Sequence, residues 1–106
     1  MLREIRTDRD LLLLRRKDGY VLNMDFGNYV VKLHRSSCRF CNPDEVWGIK
    51  VESKIEHQTG ETWYADTVGE AEAKAAEMVQ NRGFRYSSCK ICNPLPPENV
   101  TINDSS

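Results

Sequence analysis

The sequence has few of the residues on which enzymes usually rely. Its 106 residues include only two histidines, His34 and His57, and contain neither a Gly-rich phosphate loop nor the nucleophilic serine turn of hydrolases. The carboxylates are scattered along amphipathic segments. The sequence therefore predicts that the protein is not an ordinary enzyme.

Long hydrophobic runs are also missing. The apolar run at 11–14 has only four residues, whereas a membrane span needs about 20 and the core of a secretory signal about 7–15. We therefore expect a cytoplasmic protein that has no membrane partner.

The cysteines, by contrast, are concentrated in two copies of one motif. Ser-Ser-Cys-basic-apolar-Cys-Asn-Pro occurs at 36–43, the first motif, and again at 87–94, the second motif. Two distant Cys-x-x-Cys pairs are a usual way to build a tetrahedral site, because each pair supplies two sulfurs from one tight turn. The repeat predicts a structural zinc ion shared by two knuckles, with the ligands Cys38, Cys41, Cys89 and Cys92.

Other uses of four cysteines fit this pattern less well. Disulfides need an oxidising compartment, and Cys-x-x-Cys closes a small ring for a structural bridge. A thioredoxin-like redox pair occurs once and does not explain the repeated flanks. Iron–sulfur clusters usually have more closely spaced cysteines than two pairs separated by 47 residues.

The net charge of −1 hides a polarised distribution. Residues 42–77 carry nine acids and three bases, whereas 30–41 and 78–97 carry bases and no acid. A shared ion would bring the two basic segments together, which predicts binding of DNA or another nucleic acid through phosphate contacts. The candidate contacts are Arg35, Arg39, Arg82, Arg85 and Lys90, with Phe40 or Tyr86 stacking beside a base.

Helix signals appear twice. Thr7 is a suitable N-cap for a short helix over 9–17 that Gly19 could end, although 11–16 could also form a strand. Thr67 begins a Thr-x-x-Glu capping box that predicts a longer helix to about residue 82, closed by Gly83.

Strand signals lie between the two helices. Short apolar runs predict strands over 20–24 and 29–34, the second leading into the first motif. Alternation over 46–56 predicts a half-buried strand, with Lys54 among its solvated residues, that turns back into a partner strand over 61–65.

These elements predict an α+β domain over 1–94, consisting of a small antiparallel sheet with one short and one long helix. The remaining segment, 95–106, is polar and interrupted by proline, and we expect it to be a disordered tail.

Three segments also carry a family resemblance. Residues 19–23, 34–38 and 89–92 read Gly-Tyr-Val-Leu-Asn, His-Arg-Ser-Ser-Cys and Cys-Lys-Ile-Cys. In this order they resemble small microbial zinc-binding modules that are often joined to restriction-type nucleases or other DNA-acting proteins. The closing Cys-x-x-Cys after a helix is also similar to the zinc-binding half of Ada-type DNA-repair proteins. Both resemblances imply a function on DNA.

The first resemblance implies an alternative ligand set. The alternative set consists of His34, Cys38, Cys89 and Cys92, and it does not require a cysteine at position 41. Duplication of the motif favours the four-cysteine set instead. His34 would then donate a hydrogen bond to a ligand or be an ordinary strand residue.

Two other functions are kept as alternatives. The acidic segment 46–66 or the tail could bind a protein partner. The resemblance to Ada-type proteins implies that a zinc-bound thiolate could accept an alkyl group from DNA.

Overall fold

The protein, described by a computed structural model over residues 1–94, is a five-stranded sheet packed between helices. The predicted α+β class is confirmed, although residues 1–94 contain three α-helices rather than two. The predicted disordered tail, 95–106, lies outside the described residues. The elements are β1 (Leu2–Ile5), α1 (Asp8–Leu14), β2 (Tyr20–Asp25), β3 (Val30–Arg35), α2 (Val51–His57), β4 (Gly60–Ala65), α3 (Val68–Arg82) and β5 (Arg85–Ser88), with 3-10 turns at Arg39–Cys41 and Trp47–Ile49.

The sheet has the strand order β1-β4-β2-β3-β5. All neighbouring strands are antiparallel except β3 and β5, which run parallel with Leu33 opposite Ser88. Parallel strands end at the same edge of a sheet. The first motif, which follows β3, therefore lies beside the second motif, which begins in β5.

Each face of the sheet is covered by different elements. The α3 face carries Leu22, Leu33 and Met24, which pack with Ala71 and Ala75 of the helix. The opposite face, called here the cysteine face, is covered by α1, α2 and the two motifs. Its core contains Ile5, Leu11, Val21, Ile49, Val51 and Tyr64, together with Cys38, Cys41 and Cys89.

Helix α3 confirms the prediction made from its caps. The Thr67 hydroxyl accepts a hydrogen bond from the Glu70 N–H at 3.2 Å, and Gly83 ends the helix in the left-handed region with φ of 70°. In a full capping box the Glu70 carboxylate would accept a hydrogen bond from the Thr67 backbone N–H, but here its partners are different. The Glu70 carboxylate accepts from the Thr67 hydroxyl and the Met1 ammonium group.

Helix α1 is also confirmed, but it ends earlier than predicted. Thr7 is its N-cap and accepts from the Asp10 N–H, whereas the last helical residue is Leu14 and Gly19 does not cap it. Glycine is needed at position 19 for a different reason. A Cβ atom there would overlap the Tyr64 hydroxyl oxygen.

The predicted strand over 46–56 is wrong, because the chain forms a 3-10 turn and then helix α2. Val51 and Ile55 are four residues apart, a spacing that places them on one side of a helix as readily as on one side of a strand. The next strand, β4, was predicted almost correctly, but it pairs with β1 and β2 instead of 46–56.

The beginning of α2 is stabilised by a distant residue. The Asp8 carboxylate accepts from the Val51 N–H at 2.6 Å, and the Glu52 carboxylate accepts from the Asp8 N–H at 3.0 Å. Helices α1 and α2 thus cap each other. This contact satisfies N–H groups that would otherwise lack partners at the first turns.

Within residues 1–94, every helix is too short or too polar to cross a membrane.

Candidate metal centre

The paired ends of β3 and β5 bring four potential metal ligands together. His34 is near the end of β3, and its side chain lies on the cysteine face opposite Val21. Cys38 follows in the turn after β3. The Cys89 N–H donates to the Leu33 carbonyl at 2.8 Å, so this residue extends the pairing of β5 with β3.

The ligand atoms of His34, Cys38, Cys89 and Cys92 all lie within 4.8 Å of one another. Around a tetrahedral ion with metal–sulfur bonds of about 2.3 Å, neighbouring sulfurs are about 3.8 Å apart. Small side-chain adjustments would therefore close the group around an ion. These four residues could hold a metal.

The imidazole of His34 is suited to binding a metal. The side chain is buried, and its Nδ1 atom has no hydrogen-bond partner within residues 1–94. Burial, followed by the positive charges of Lys32 and Lys54, lowers the pKa of His34 to about 4. The ring is therefore neutral at physiological pH, which is the form that binds metals.

The second motif is held by hydrogen bonds from β3. The Arg35 N–H donates to Cys92 Sγ at 3.2 Å, and the Arg35 guanidinium donates to the Cys92 and Asn93 carbonyls. Asn93 is left-handed, with φ of 47°, and its N–H returns to the Cys89 carbonyl. Arg35 therefore clamps the second motif onto the end of β3.

The thiols of this motif have opposite pKa shifts. Burial raises the pKa of Cys89, but hydrogen bonds from the N–H groups of Cys92 and Ile91 reverse the effect, and the net shift is downward. Burial, opposed by the Arg35 N–H and assisted by Cys38, raises the pKa of Cys92 to about 12. One thiolate thus forms more easily than the other before any ion binds.

Cys41 stands outside this group. It is completely buried, its thiol donates to the Arg35 carbonyl at 3.8 Å, and burial followed by the proximity of Cys38 raises its pKa. The four-cysteine set predicted from the repeat is therefore not the set brought together in the fold. The grouped residues are those of the alternative set, with His34 in place of Cys41.

The two motifs do not form equivalent knuckles. Asn42 is extended, with φ of −91°, whereas the equivalent Asn93 is left-handed. The 3-10 turn before Asn42 places Cys41 in the hydrophobic core of the cysteine face. Repetition of the sequence therefore does not produce repetition of the backbone.

The predicted nucleic-acid contacts are dispersed. Arg39 and Lys90 are exposed in the two motifs, directly after Cys38 and Cys89. Arg35 is engaged with the second motif, as described above. Arg82 stacks on Phe26 and Phe84 on the α3 side, and Arg85 lies on the edge strand β5.

The aromatic candidates differ as well. Phe40 is half-buried beside the metal centre, with the Arg39 guanidinium 5.2 Å from its ring. Tyr86 packs against the α3 core and donates to Glu72 at 3.5 Å. Of these two rings, only Phe40 lies near the grouped ligands.

Lys54 is buried, although the sequence pattern predicted that it is solvated. Its ammonium group donates to the Asn23 side-chain oxygen and to the Glu61 carbonyl, and only 9% of the residue is exposed. Burial lowers the pKa of Lys54 to about 8, although Cys41 and Asp25 oppose the shift. A strand pattern over 46–56 assigned this residue to solvent, so the sequence carried no signal for its burial.

No known protein family, curated protein or solved structure matches the chain.

Proposed function

We propose that the protein is a zinc-stabilised module that binds nucleic acid, DNA in particular, through the residues that directly follow its metal ligands. The observation that carries the proposal is the convergence of His34, Cys38, Cys89 and Cys92 at the paired ends of β3 and β5. It supports a metal that ties together two distant parts of the chain.

The donor set favours zinc among the common metals. Three thiols and one imidazole are a frequent tetrahedral ligand set for structural zinc. All four positions would be filled by the protein, which leaves none for a reacting water. All four cysteines of the chain are free, and thiolate ligands fit the reducing cytoplasm predicted from the sequence.

The metal would also position two basic side chains. Arg39 and Lys90 each follow a ligand, both are exposed, and neither forms an ion pair with another residue in 1–94. Exposed cations that have no ion-pair partner can contact phosphates. Such contacts orient a protein on nucleic acid without reading its sequence.

The burial of three of the four thiols disfavours the alkyl-acceptor alternative. Cys38 and Cys89 are each 5% exposed and Cys41 is completely buried, whereas Cys92 is half-buried. Alkyl transfer requires a sulfur atom to approach the DNA alkyl group in line. An unchanged intact mass after incubation with methylated DNA would agree with a binding role.

Salt dependence tests the proposal. The zinc-loaded chain and its Arg39→Gln/Lys90→Gln variant would be titrated into labelled DNA over a range of salt concentrations. We expect the variant to bind more weakly and to flatten the slope of log affinity against log salt by about 1–2, because each lost phosphate contact removes about 0.7–0.9 from that slope. Arg9→Gln/Arg16→Gln, which removes two exposed positive charges in and after α1, is the charge-matched control.

A protein partner is the competing interpretation. If neither single-stranded nor duplex DNA is retained by the zinc-loaded protein at low salt, the proposal is wrong.

A further inference from the structure

The cysteine face is left partly open beside the metal centre. A cavity of about 620 Å³ lies between the sheet residues Asn23, Lys32 and Ser87 and the walls formed by Phe40 and Ile91. It adjoins a second cavity of about 270 Å³, which includes Trp47, and the two share Asn23, Asp25 and Gly48. We call the joined cavities the sheet groove.

The sheet groove is positively charged in a chain whose net charge is −1. The single acid along it, Asp25, is engaged in its own turn, where its carboxylate accepts hydrogen bonds from Gly27 and Asn28. Such an arrangement concentrates positive potential and attracts an anion. The basic side chains that line it are Lys32, Lys50, Lys54 and Lys90.

Exposed apolar side chains border the same groove. Trp47 is 74% exposed, more than any other large hydrophobic residue in 1–94, and Ile91 is 66% exposed. The Lys50 ammonium lies 5.5 Å from the centre of the Trp47 ring. An exposed indole among lysines is the combination that binds a base by stacking and its phosphate by charge.

The floor of the groove offers a directional polar group. Lys54 donates to the side-chain oxygen of Asn23, and the Asn23 amide nitrogen has no acceptor within residues 1–94. Buried Lys54 therefore orients the amide. Its nitrogen is left able to donate a hydrogen bond to a ligand in the groove.

We propose that the sheet groove binds an unpaired nucleotide of single-stranded nucleic acid, with its base against Trp47 and its phosphates near Lys32 and Lys90. This inference rests on the proposed function and specifies its substrate. The base of an intact duplex is stacked and paired, so it could not enter a groove of this volume. An acidic peptide would satisfy the lysines but has no planar base to stack on the Trp47 indole.

The test compares single-stranded DNA with a duplex of the same sequence. Fluorescence anisotropy would measure binding of each labelled DNA to the zinc-loaded full chain. We expect Trp47→Ala to weaken single-strand binding about 10-fold, as loss of one stacked base does, and to leave duplex binding unchanged. Trp47→Phe should restore most of the affinity because it keeps an aromatic face.

A second variant tests the charge independently. Lys32 is exposed, and Lys32→Gln should weaken single-strand binding several-fold and reduce its salt dependence, whereas Arg9→Gln in α1 should change neither. Metal content and far-UV circular dichroism would verify that each variant is folded. Intrinsic fluorescence adds a direct readout. The emission of Trp47 is the difference between the spectra of the native protein and Trp47→Phe, and single-stranded DNA should quench it.

The outcomes separate this inference from the proposed function. If Trp47→Ala and Lys32→Gln leave single-strand binding unchanged while Arg39→Gln/Lys90→Gln weakens it, the groove assignment is overturned and the proposed function stands. If no nucleic acid binds at all, both are overturned. Binding of poly-glutamate that is lost in Lys32→Gln and retained in Trp47→Ala, without DNA binding, would assign the groove to an acidic peptide instead.

Discussion

The first and second motifs share a sequence pattern and differ in what their residues do. In the first, Ser36 is buried and bonds to the backbone of Gly19 and Lys17, whereas the equivalent Ser87 is exposed on β5. The second cysteine of the first motif is in the core, whereas Cys92 belongs to the ligand group. Each motif continues a different strand, so identical residue types meet different surroundings.

This comparison shows why the candidate metal site is asymmetric. The second motif supplies two of the potential ligands and is clamped by Arg35, while the first supplies only Cys38, and the fourth potential ligand, His34, comes from the preceding strand. A strand residue on the cysteine face thus takes the place of one cysteine in the group. The predictions below test this division between the two motifs.

The largest difference is expected between the second cysteines of the two motifs. Cys92→Ser should abolish stoichiometric zinc and unfold much of the domain, because structural zinc contributes on the order of 10 kcal/mol, comparable with the whole stability of a small domain. Chelation of the native protein should have the same effect. Cys41→Ser should retain the metal and lose only about 1–3 kcal/mol, from a buried hydroxyl in an apolar site.

Elemental analysis and thermal unfolding would measure this pair. Retention of zinc by Cys92→Ser together with its loss from Cys41→Ser would restore the four-cysteine set and contradict the asymmetry.

The two histidines provide the next comparison. His34→Ala should weaken zinc binding on the order of 100-fold or more, because it removes a direct ligand rather than a supporting residue. His57→Ala is the control, since His57 is exposed in α2 and its ring contacts the Ser53 carbonyl. Competition with a chromogenic chelator would give both affinities, and equal values would remove His34 from the ligand set.

Arg35 should matter for one motif only. Arg35→Gln removes the guanidinium bonds to the Cys92 and Asn93 carbonyls and should lower zinc affinity by about 10-fold, the lower end of effects seen for residues that support metal ligands. Arg39→Gln, in the first motif, should not change it. Amide exchange should rise in the second motif alone, and equal changes in both motifs would contradict the clamp.

The smallest effect concerns the asparagine that ends each motif. Asn93→Gly should be neutral or stabilising by up to about 1 kcal/mol, because glycine tolerates the left-handed conformation better. Asn42→Gly should cost about 1 kcal/mol, because it removes the side-chain bonds to Glu45 and to the Asp44 N–H. Denaturant unfolding would measure both, and an equal loss of stability in the two variants would contradict the proposed effect of the backbone difference.

Sequence patterns located the elements whose signals are local. Thr67 and Gly83 mark the ends of α3, and the apolar runs at 20–24 and 29–34 became β2 and β3 with small changes in length. Helix α2 was missed because its first N–H group, that of Val51, is capped by Asp8, a residue 43 positions earlier. Short elements without local caps depend on such distant contacts.

The sequence by itself determined the α+β class, the main strands, both predicted helices and the concentration of thiols in two segments, because caps and hydrophobic periods act over a few residues. Only the tertiary structure decided which thiols could share an ion. The parallel pairing of β3 with β5 carries Cys89 to Leu33 and places His34 beside it. Packing of the first motif buries Cys41 elsewhere, a result of long-range contacts that no local repeat encodes.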